Sequence, residues 1–243
     1  PIRDARVTIS EPETAINPNS PIERLETDVS GQTQIVDLNT PPLEYSLNEN
    51  NENMPYANYN IQIEAPGYDT ENISNVEILP DSLSLQDVRM RRREGEQVEN
   101  IDIDPHTLYA EYPEKIPEDE IKDVNEPGEI VLSRVVIPEY VVVHNGTPSS
   151  NARDYYVTYK DYIKNVASSE IYATWPRATI EANVLAIMSF TLNRVYTEWY
   201  RNKGYDFTIT SSTAYDQKWI YGRNIFQSID EVVDEIFNQY LSR

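Results

Sequence analysis

Apolar residues alternate with polar ones in the first ninety positions and recur at three and four in the last ninety, which divides the chain into a β-rich and a helical part. Ala5-Arg6-Val7-Thr8-Ile9 and Tyr59-Asn60-Ile61-Gln62-Ile63 alternate at period two, and Ile35-Val36-Asp37-Leu38 is a shorter run of the same kind. Residues 73–78 and 84–90 supply two more strands. Turn chemistry separates them: Thr27-Asp28-Val29-Ser30-Gly31-Gln32, a polar tip at 48–53, and Pro66-Gly67-Tyr68. Short strands punctuated in this way predict a β-sandwich over residues 1–90.

Residues 91–134 lose the periodicity and read as an acidic, proline-containing linker, where proteases cut readily and a removable pro-region would fit. Ile101-Asp102-Ile103-Asp104 and Glu118-Asp119-Glu120-Ile121 offer at most a short strand and a helical turn. Residues 135–144 are two β-rich pieces split by Pro138, followed by the turn Asn145-Gly146 and a polar hinge at 148–151. From residue 155 the period becomes helical, with a first helix at 159–166 and a long one at 176–200. Pro176 suits the first helical position, where its missing N–H costs nothing. Ile180, Val184, Leu185, Met188, Thr191, Leu192, Val195 and Trp199 form the apolar face of the long helix. A strand at 207–210 and an aromatic loop at 211–222 follow, and Ser228-x-x-Glu231 reads as a capping box for a last helix. The expected fold is therefore α+β: a sandwich (1–90), an acidic linker (91–134) and a mainly helical domain (135–243).

Charge sharpens this division. Residues 151–243 hold ten Lys/Arg and eleven Asp/Glu, so of the chain's 20 and 41 the remaining ten and thirty fall in residues 1–150. A net charge of −21 repels phosphate backbones, which makes nucleic acid an unfavourable partner. No run of about 18 apolar residues is long enough to span a membrane. The absence of cysteine excludes disulfides, thiolate nucleophiles and cysteine zinc sites. His106 and His144 are too few and too far apart in sequence for a metal site, so no metal or other cofactor is expected. The chain begins at Pro1 rather than Met, which is expected of a processed form, a piece of a longer protein or an engineered product.

The stretch with most chemical content is Asp161-Tyr162-Ile163-Lys164-Asn165-Val166-Ala167-Ser168-Ser169-Glu170-Ile171-Tyr172-Ala173-Thr174-Trp175-Pro176. Glu170 falls between the two helices with Ile171, Tyr172 and Trp175 close by in sequence. A carboxyl against apolar and aromatic walls disfavours its charged form, and a carboxylic acid protonated near neutral pH is what glycosidic cleavage needs. A Glu at a helix junction is also a common cap or surface charge, so the spacing alone leaves both open.

Two resemblances extend this. Val7-Thr8-Ile9, Thr27-Asp28-x-x-Gly31, Tyr59-x-Ile61, Pro66-Gly67-Tyr68 and Val76-x-Ile78 together resemble the carboxypeptidase regulatory-like, transthyretin-type β-sandwich, a module without catalytic residues. Asp161-Tyr162, Ser169-Glu170 and Trp175-Pro176, with Ser212-Thr213-Ala214-Tyr215-Asp216-Gln217 and Tyr221-Gly222 further on, resemble the stage II sporulation protein D family of peptidoglycan lytic transglycosylases. Within it, residues 135–144, Asn165–Glu170 and Asn193-Arg194-Val195-Tyr196-Thr197-Glu198-Trp199-Tyr200 are similar to clostridial spore cortex-lytic enzymes. The resemblance implies that Glu170 is the essential acid and base, acting on glycan strands of spore cortex or cell wall, and that Gln217 and Tyr221 lie on the substrate side. It also implies a precursor whose N-terminal region a subtilisin-like protease removes during germination. Tyr172, Trp175, Tyr215 and Trp219 are candidates for stacking on sugar rings, with an ordinary core role as the alternative for each. Asp216 is the candidate second carboxylate should hydrolysis occur, with a loop cap as its alternative.

The chain departs from that family at two points. Glu181 and Met188 stand near the positions where the family carries a Lys and an Arg on the long helix. The family domain also continues beyond the last helix, whereas this sequence stops at Arg243, so the cleft is expected to lack a wall. These departures keep a second expectation open: a non-catalytic, wall-binding or structural protein built on a degenerate lytic domain.

Overall fold

Residues 1–12, 21–95, 97–117 and 132–241 are described by a computed structural model. The fold is α+β and divides into two units, one of Pro1–Pro105 with Tyr221–Asn224, the other of His106–Ile220 with Ile225–Arg243.

Period-two alternation does build the first unit. Strands β1 (Arg6–Ser10), β2 (Pro21–Glu26), β3 (Ala57–Glu64), β4 (Thr70–Ile78) and β6 (Val98–Asp102) form a sheet in the order β2-β1-β3-β4-β6. All neighbouring pairs are antiparallel except β4 and β6. The register pairs Val7 with Leu25 and with Ile63, and Ile9 with Ile61, which gathers the apolar set on one face. Ile9, Leu25 and Tyr59 are buried there beneath Val7, Val36, Leu38, Ile61 and Ile78. The turn expected at 27–32 is an Asx-type turn: the Asp28 carboxylate accepts from the Ser30 N–H (2.8 Å), the Ser30 hydroxyl (2.6 Å) and the Gln32 N–H (3.0 Å), with Gly31 at a φ of 77°.

Several expectations are corrected. The five strands lie in one sheet, and among the described residues of this unit only β5 (Ser84–Leu85) is a strand outside it. The second layer is instead irregular chain. Residues 35–38 make no ladder but lay Val36 and Leu38 on the sheet, and the Tyr59 hydroxyl donates to the Asn39 carbonyl (2.7 Å). A short helix, α1 (Glu44–Leu47), follows. The expected linker is structured through most of its described length. Val98–Asp102 pairs in parallel with β4, and Ile103 is buried beyond it, because a long-range partner stabilises a stretch too polar to announce itself. The turn expected at 118–121 lies outside the described residues.

The four-residue piece Tyr221–Asn224, read from sequence as part of the aromatic loop of the C-terminal domain, belongs to the first unit. Arg223 donates to the Glu77 carboxylate at 2.6 Å with side-chain exposures of 0% and 1%. The Asn224 amide donates to the Glu77 carbonyl (2.8 Å) and to the Ser84 hydroxyl (2.8 Å).

The second unit has a small sheet and three α-helices among its described residues. Strands β7 (Tyr140–His144), β8 (Asp154–Thr158) and β9 (Ile209–Thr210) lie in the order β8-β7-β9. β8 was not expected; it occupies the start of the segment read as helical, pairing Val142 with Tyr156. Thr158 then caps α2 (Tyr159–Glu170), its hydroxyl accepting from the Asp161 N–H (3.2 Å). This helix runs to Glu170 rather than 166, because Ala167, Ser168 and Ser169 are all buried and Ser169 satisfies its hydroxyl on the Asn165 carbonyl (2.9 Å).

The long helix α3 (Arg177–Tyr196) has Pro176 as its N-cap and stops four residues before the expected end. Glu198 adopts a φ of 47°, the chain turns through a 3-10 segment (Arg201–Lys203), and Gly204 closes it at a φ of 83°. β10 (Ile225–Phe226) leads into α4 (Gln227–Ile236), whose N-cap is Phe226. The expected capping box does not form; the Ser228 hydroxyl donates to the Ala173 carbonyl (3.1 Å) and Glu231 accepts from Gln227 (2.7 Å). The core joins Tyr162, Ile163 and Val166 of α2, Ile180, Val184 and Met188 of α3, and Ile229, Val232 and Val233 of α4. Each such aliphatic side chain contributes roughly 1.5–3 kcal/mol by leaving water, so these helices are held by packing rather than propensity. No helix among the described residues is long and apolar enough to cross a membrane.

Candidate functional site

Glu170 is the last residue of α2, and its backbone is held on both sides by chain that returns from elsewhere in the second unit. The Thr107 N–H and hydroxyl both donate to the Ser169 carbonyl (3.1 and 3.0 Å), and a His106 ring nitrogen lies 3.4 Å from the Ile171 carbonyl. The carboxyl itself accepts one hydrogen bond among the described residues, from the Lys218 backbone N–H to Oε1 at 2.7 Å. Burial raises its pKa to about 7, against the opposing pull of that N–H bond and of the Lys115 ammonium charge. Near neutral pH the group is therefore divided between acid and carboxylate, the condition under which one carboxyl both gives and takes a proton.

Aromatic residues follow it. Tyr172 is buried with its ring centroid 4.5 Å from that of His106 and meets Trp175 edge-on at 5.9 Å. Trp175 and Tyr215 are half-buried. Trp219 is buried, its ring 5.2 Å from Tyr155.

The loop after β9 brings Lys218 to Glu170, and two of the expected substrate residues are absorbed in holding that loop. Asp216 Oδ1 accepts from Arg194 Nε (2.7 Å), and Oδ2 accepts from the Tyr200 hydroxyl (2.6 Å) and from the N–H (2.9 Å) and hydroxyl (2.6 Å) of Thr210. Its side chain has 0% exposure, so neither oxygen faces a substrate, and a role as second carboxylate is not supported. The Gln217 carbonyl oxygen accepts from the Thr191 (2.9 Å) and Tyr162 (3.3 Å) hydroxyls while its amide donates to the Ile187 carbonyl (3.1 Å). The whole side chain is thus engaged in the core. Tyr221 is grouped with the first unit, where its hydroxyl lies 3.5 Å from Glu99. Glu181 pairs with Arg177 on the surface (2.8 Å) and Met188 is fully buried, so neither supplies a cation.

Sequence reasoning missed four contributors. Lys218 acts through its backbone, which no side-chain pattern reveals. Lys115, from the expected linker, has its ammonium 3.9 Å from the Phe190 ring centre and its charge felt at Glu170. Arg194 is buried over the rings of Phe190 (4.5 Å) and Trp199 (4.4 Å). Asn165 receives the Ile220 N–H (2.9 Å) and donates to the Ile220 carbonyl (2.8 Å). An asparagine on the Tyr162–Val166 face of an amphipathic helix was the available signal for the last of these.

His144, the other histidine, lies 2.7 Å from Asp154 and stacks on Phe207 at 4.6 Å. Comparison with protein-family models, with curated proteins and with solved structures finds no match.

Proposed function

We propose that the C-terminal part of the chain, residues 135–243, is a peptidoglycan lytic transglycosylase domain acting on spore cortex or other cell-wall glycan, with Glu170 as its acid and base. The observation that carries this is a single carboxyl with a pKa of about 7 at the end of α2. In the acid form Glu170 gives its proton to the oxygen joining muramic acid to glucosamine, and the C1–O bond breaks. The muramic C6 oxygen then bonds to C1, and its proton passes to the Glu170 carboxylate, which restores the acid and leaves a 1,6-anhydro end. No water is activated, so the chemistry asks for no carboxylate opposite Glu170. This agrees with the internal engagement of Asp216. Trp175 and Tyr215, both half-buried, supply aromatic surface for sugars, buried Tyr172 backs Trp175, and Gln217 serves from behind, through the loop. The first unit, a single five-stranded sheet covered by irregular chain, carries no part of this chemistry. A segment within 91–134 forms part of a pro-region cut by a subtilisin-like protease.

Mass spectrometry of cortex fragments after incubation with the protein and with Glu170→Gln tests this. Anhydro-muramic ends from the first and none from the second are expected. Equal products from both would remove Glu170 from the role. A second reading, a wall-binding protein without cleavage, is favoured by the missing cations at Glu181 and Met188. Retention on cortex with no new glycan ends from either form would support it.

A further inference from the structure

Lys218 is bracketed in the chain by residues tied to the two helices that flank the site. Before it, Asp216 is bound to Arg194, Tyr200 and Thr210, and Gln217 to Thr191, Tyr162 and Ile187. After it, Ile220 is clamped by Asn165, whose amide imitates a peptide group and matches both the donor and the acceptor of the Ile220 backbone. These ties are buried, and the three residues that make them (Asn165, Asp216 and Gln217) are only 8%, 5% and 6% exposed. A loop without regular structure ordinarily has freedom to move. This one is held at residues 216, 217 and 220, so the N–H of residue 218 cannot retreat from Oε1 of Glu170.

We propose that Asn165, Asp216 and Gln217 are positioning residues: they fix the Lys218 N–H on Oε1 of Glu170 and thereby make Oε2 the oxygen that carries the transferable proton. An oxygen that accepts an N–H bond is the poorer place for a proton, since the acid O–H would meet the donor's hydrogen. The geometry of proton delivery is then set by the loop rather than by rotation of the carboxyl. Delivery to a glycosidic oxygen rests on the lytic transglycosylase reading; the placement of the proton does not.

Two other ionisable groups must be separated from the N–H: Lys115 from the 106–117 segment, whose charge acts on Glu170, and Tyr162 on α2 itself, which feels the Glu170 charge in turn. The ammonium of Lys218 lies over the Tyr112 ring at 4.8 Å.

The test is an NMR titration of the full chain, following the Glu170 carboxyl carbon and the Lys218 amide proton, with Glu170→Gln to assign the first. The Lys218 amide is expected to shift with the same midpoint as Glu170 and to lose that response in Glu170→Gln. Asn165→Ala, which frees Ile220, is expected to raise the Glu170 midpoint by roughly half to one unit, because a bond favouring the charged form is weakened. Thr191→Val, which keeps the shape and loses the hydroxyl on Gln217, is expected to do the same to a smaller extent, and Thr191→Ser to restore the original midpoint. Lys115→Met is expected to move the midpoint while leaving the Lys218 amide coupled to it. An amide that ignores Glu170, or folded Thr191→Val and Asn165→Ala proteins titrating at the unaltered midpoint, overturns the proposal. None of these readouts needs glycan cleavage, so a coupled titration without anhydro products would sink the enzymatic reading alone.

Discussion

Replacement of Asp216 by alanine should be among the most damaging single changes in the second unit. The change strips four donors of their acceptor and leaves the Arg194 guanidinium without its 2.7 Å partner. Arg194 cannot turn outward to recover water, because its side chain has 0% exposure and is held over Phe190 and Trp199. Breaking a buried pair from one side costs about 3–5 kcal/mol, most of it the uncompensated charge that remains. At roughly 2–4 °C per kcal/mol for a protein of this length, the thermal midpoint should fall by about 6–20 °C. All three tryptophans (175, 199 and 219) belong to the second unit, so tryptophan fluorescence during urea or thermal unfolding reads this unit selectively. Arg194→Met should do less harm, since Tyr200 and Thr210 still donate to the remaining carboxylate. The double variant Asp216→Ala with Arg194→Met removes both charges and should be more stable than the sum of the two single losses implies by about 2 kcal/mol or more. A loss below about 1 kcal/mol in Asp216→Ala, the range of exposed pairs, would refute the argument, and so would strict additivity in the cycle.

Other perturbations have equally definite signs. Glu170 has a folded-state pKa of about 7, above its ordinary 4.5, so the stability it contributes is fully present below about pH 4.5 and is lost as pH rises through 7. Glu170→Gln should therefore be the more stable protein at pH 8, by up to about 3 kcal/mol, with the gap closing towards pH 4.5; urea midpoints of the two proteins at both pH values measure it. Arg223→Met leaves the Glu77 carboxylate buried without its cation, and the first unit should lose about 3–5 kcal/mol, read by amide exchange on β4. Gly222→Ala adds a Cβ that would lie 2.5 Å from Ile101 Cγ2 at a φ of 77°; a loss of about 1–3 kcal/mol, followed as faster exchange in β6, is expected, and unchanged exchange would refute the close approach.

What the sequence made legible was whatever rests on a local period or a local turn. Strands β1 and β3, the Asx turn at Asp28 and the apolar faces of α3 and α4 are each fixed by neighbours within a few residues. What it concealed rests on pairing across long separations. β6 lies in a stretch too acidic to read as a strand and owes its place to β4. The segment Tyr221–Asn224 looks like more of the aromatic loop until Arg223 meets Glu77, 146 residues away. Glu198 ends the long helix early through a left-handed backbone that no residue type in the sequence requires.

The site divides along the same line, and the division explains why two of its expected substrate residues turned inward. Glu170 was legible because its neighbours Ile171, Tyr172 and Trp175 already imply a desolvated carboxyl, and burial is indeed the leading cause of its raised pKa. Asp216 and Gln217 were equally conspicuous as polar residues in an aromatic loop, yet conspicuous polarity does not distinguish a group that faces a ligand from one that holds a loop. The distinction lies in the partners: Asp216 has Arg194, Tyr200 and Thr210, and Gln217 has Thr191, Tyr162 and Ile187, all far from them in sequence or on other elements. A side chain with every polar atom so engaged has none left for a sugar hydroxyl. Its chemical effect is exerted close by in the chain, through a Lys218 group that no side-chain truncation removes, the backbone N–H on Glu170 Oε1.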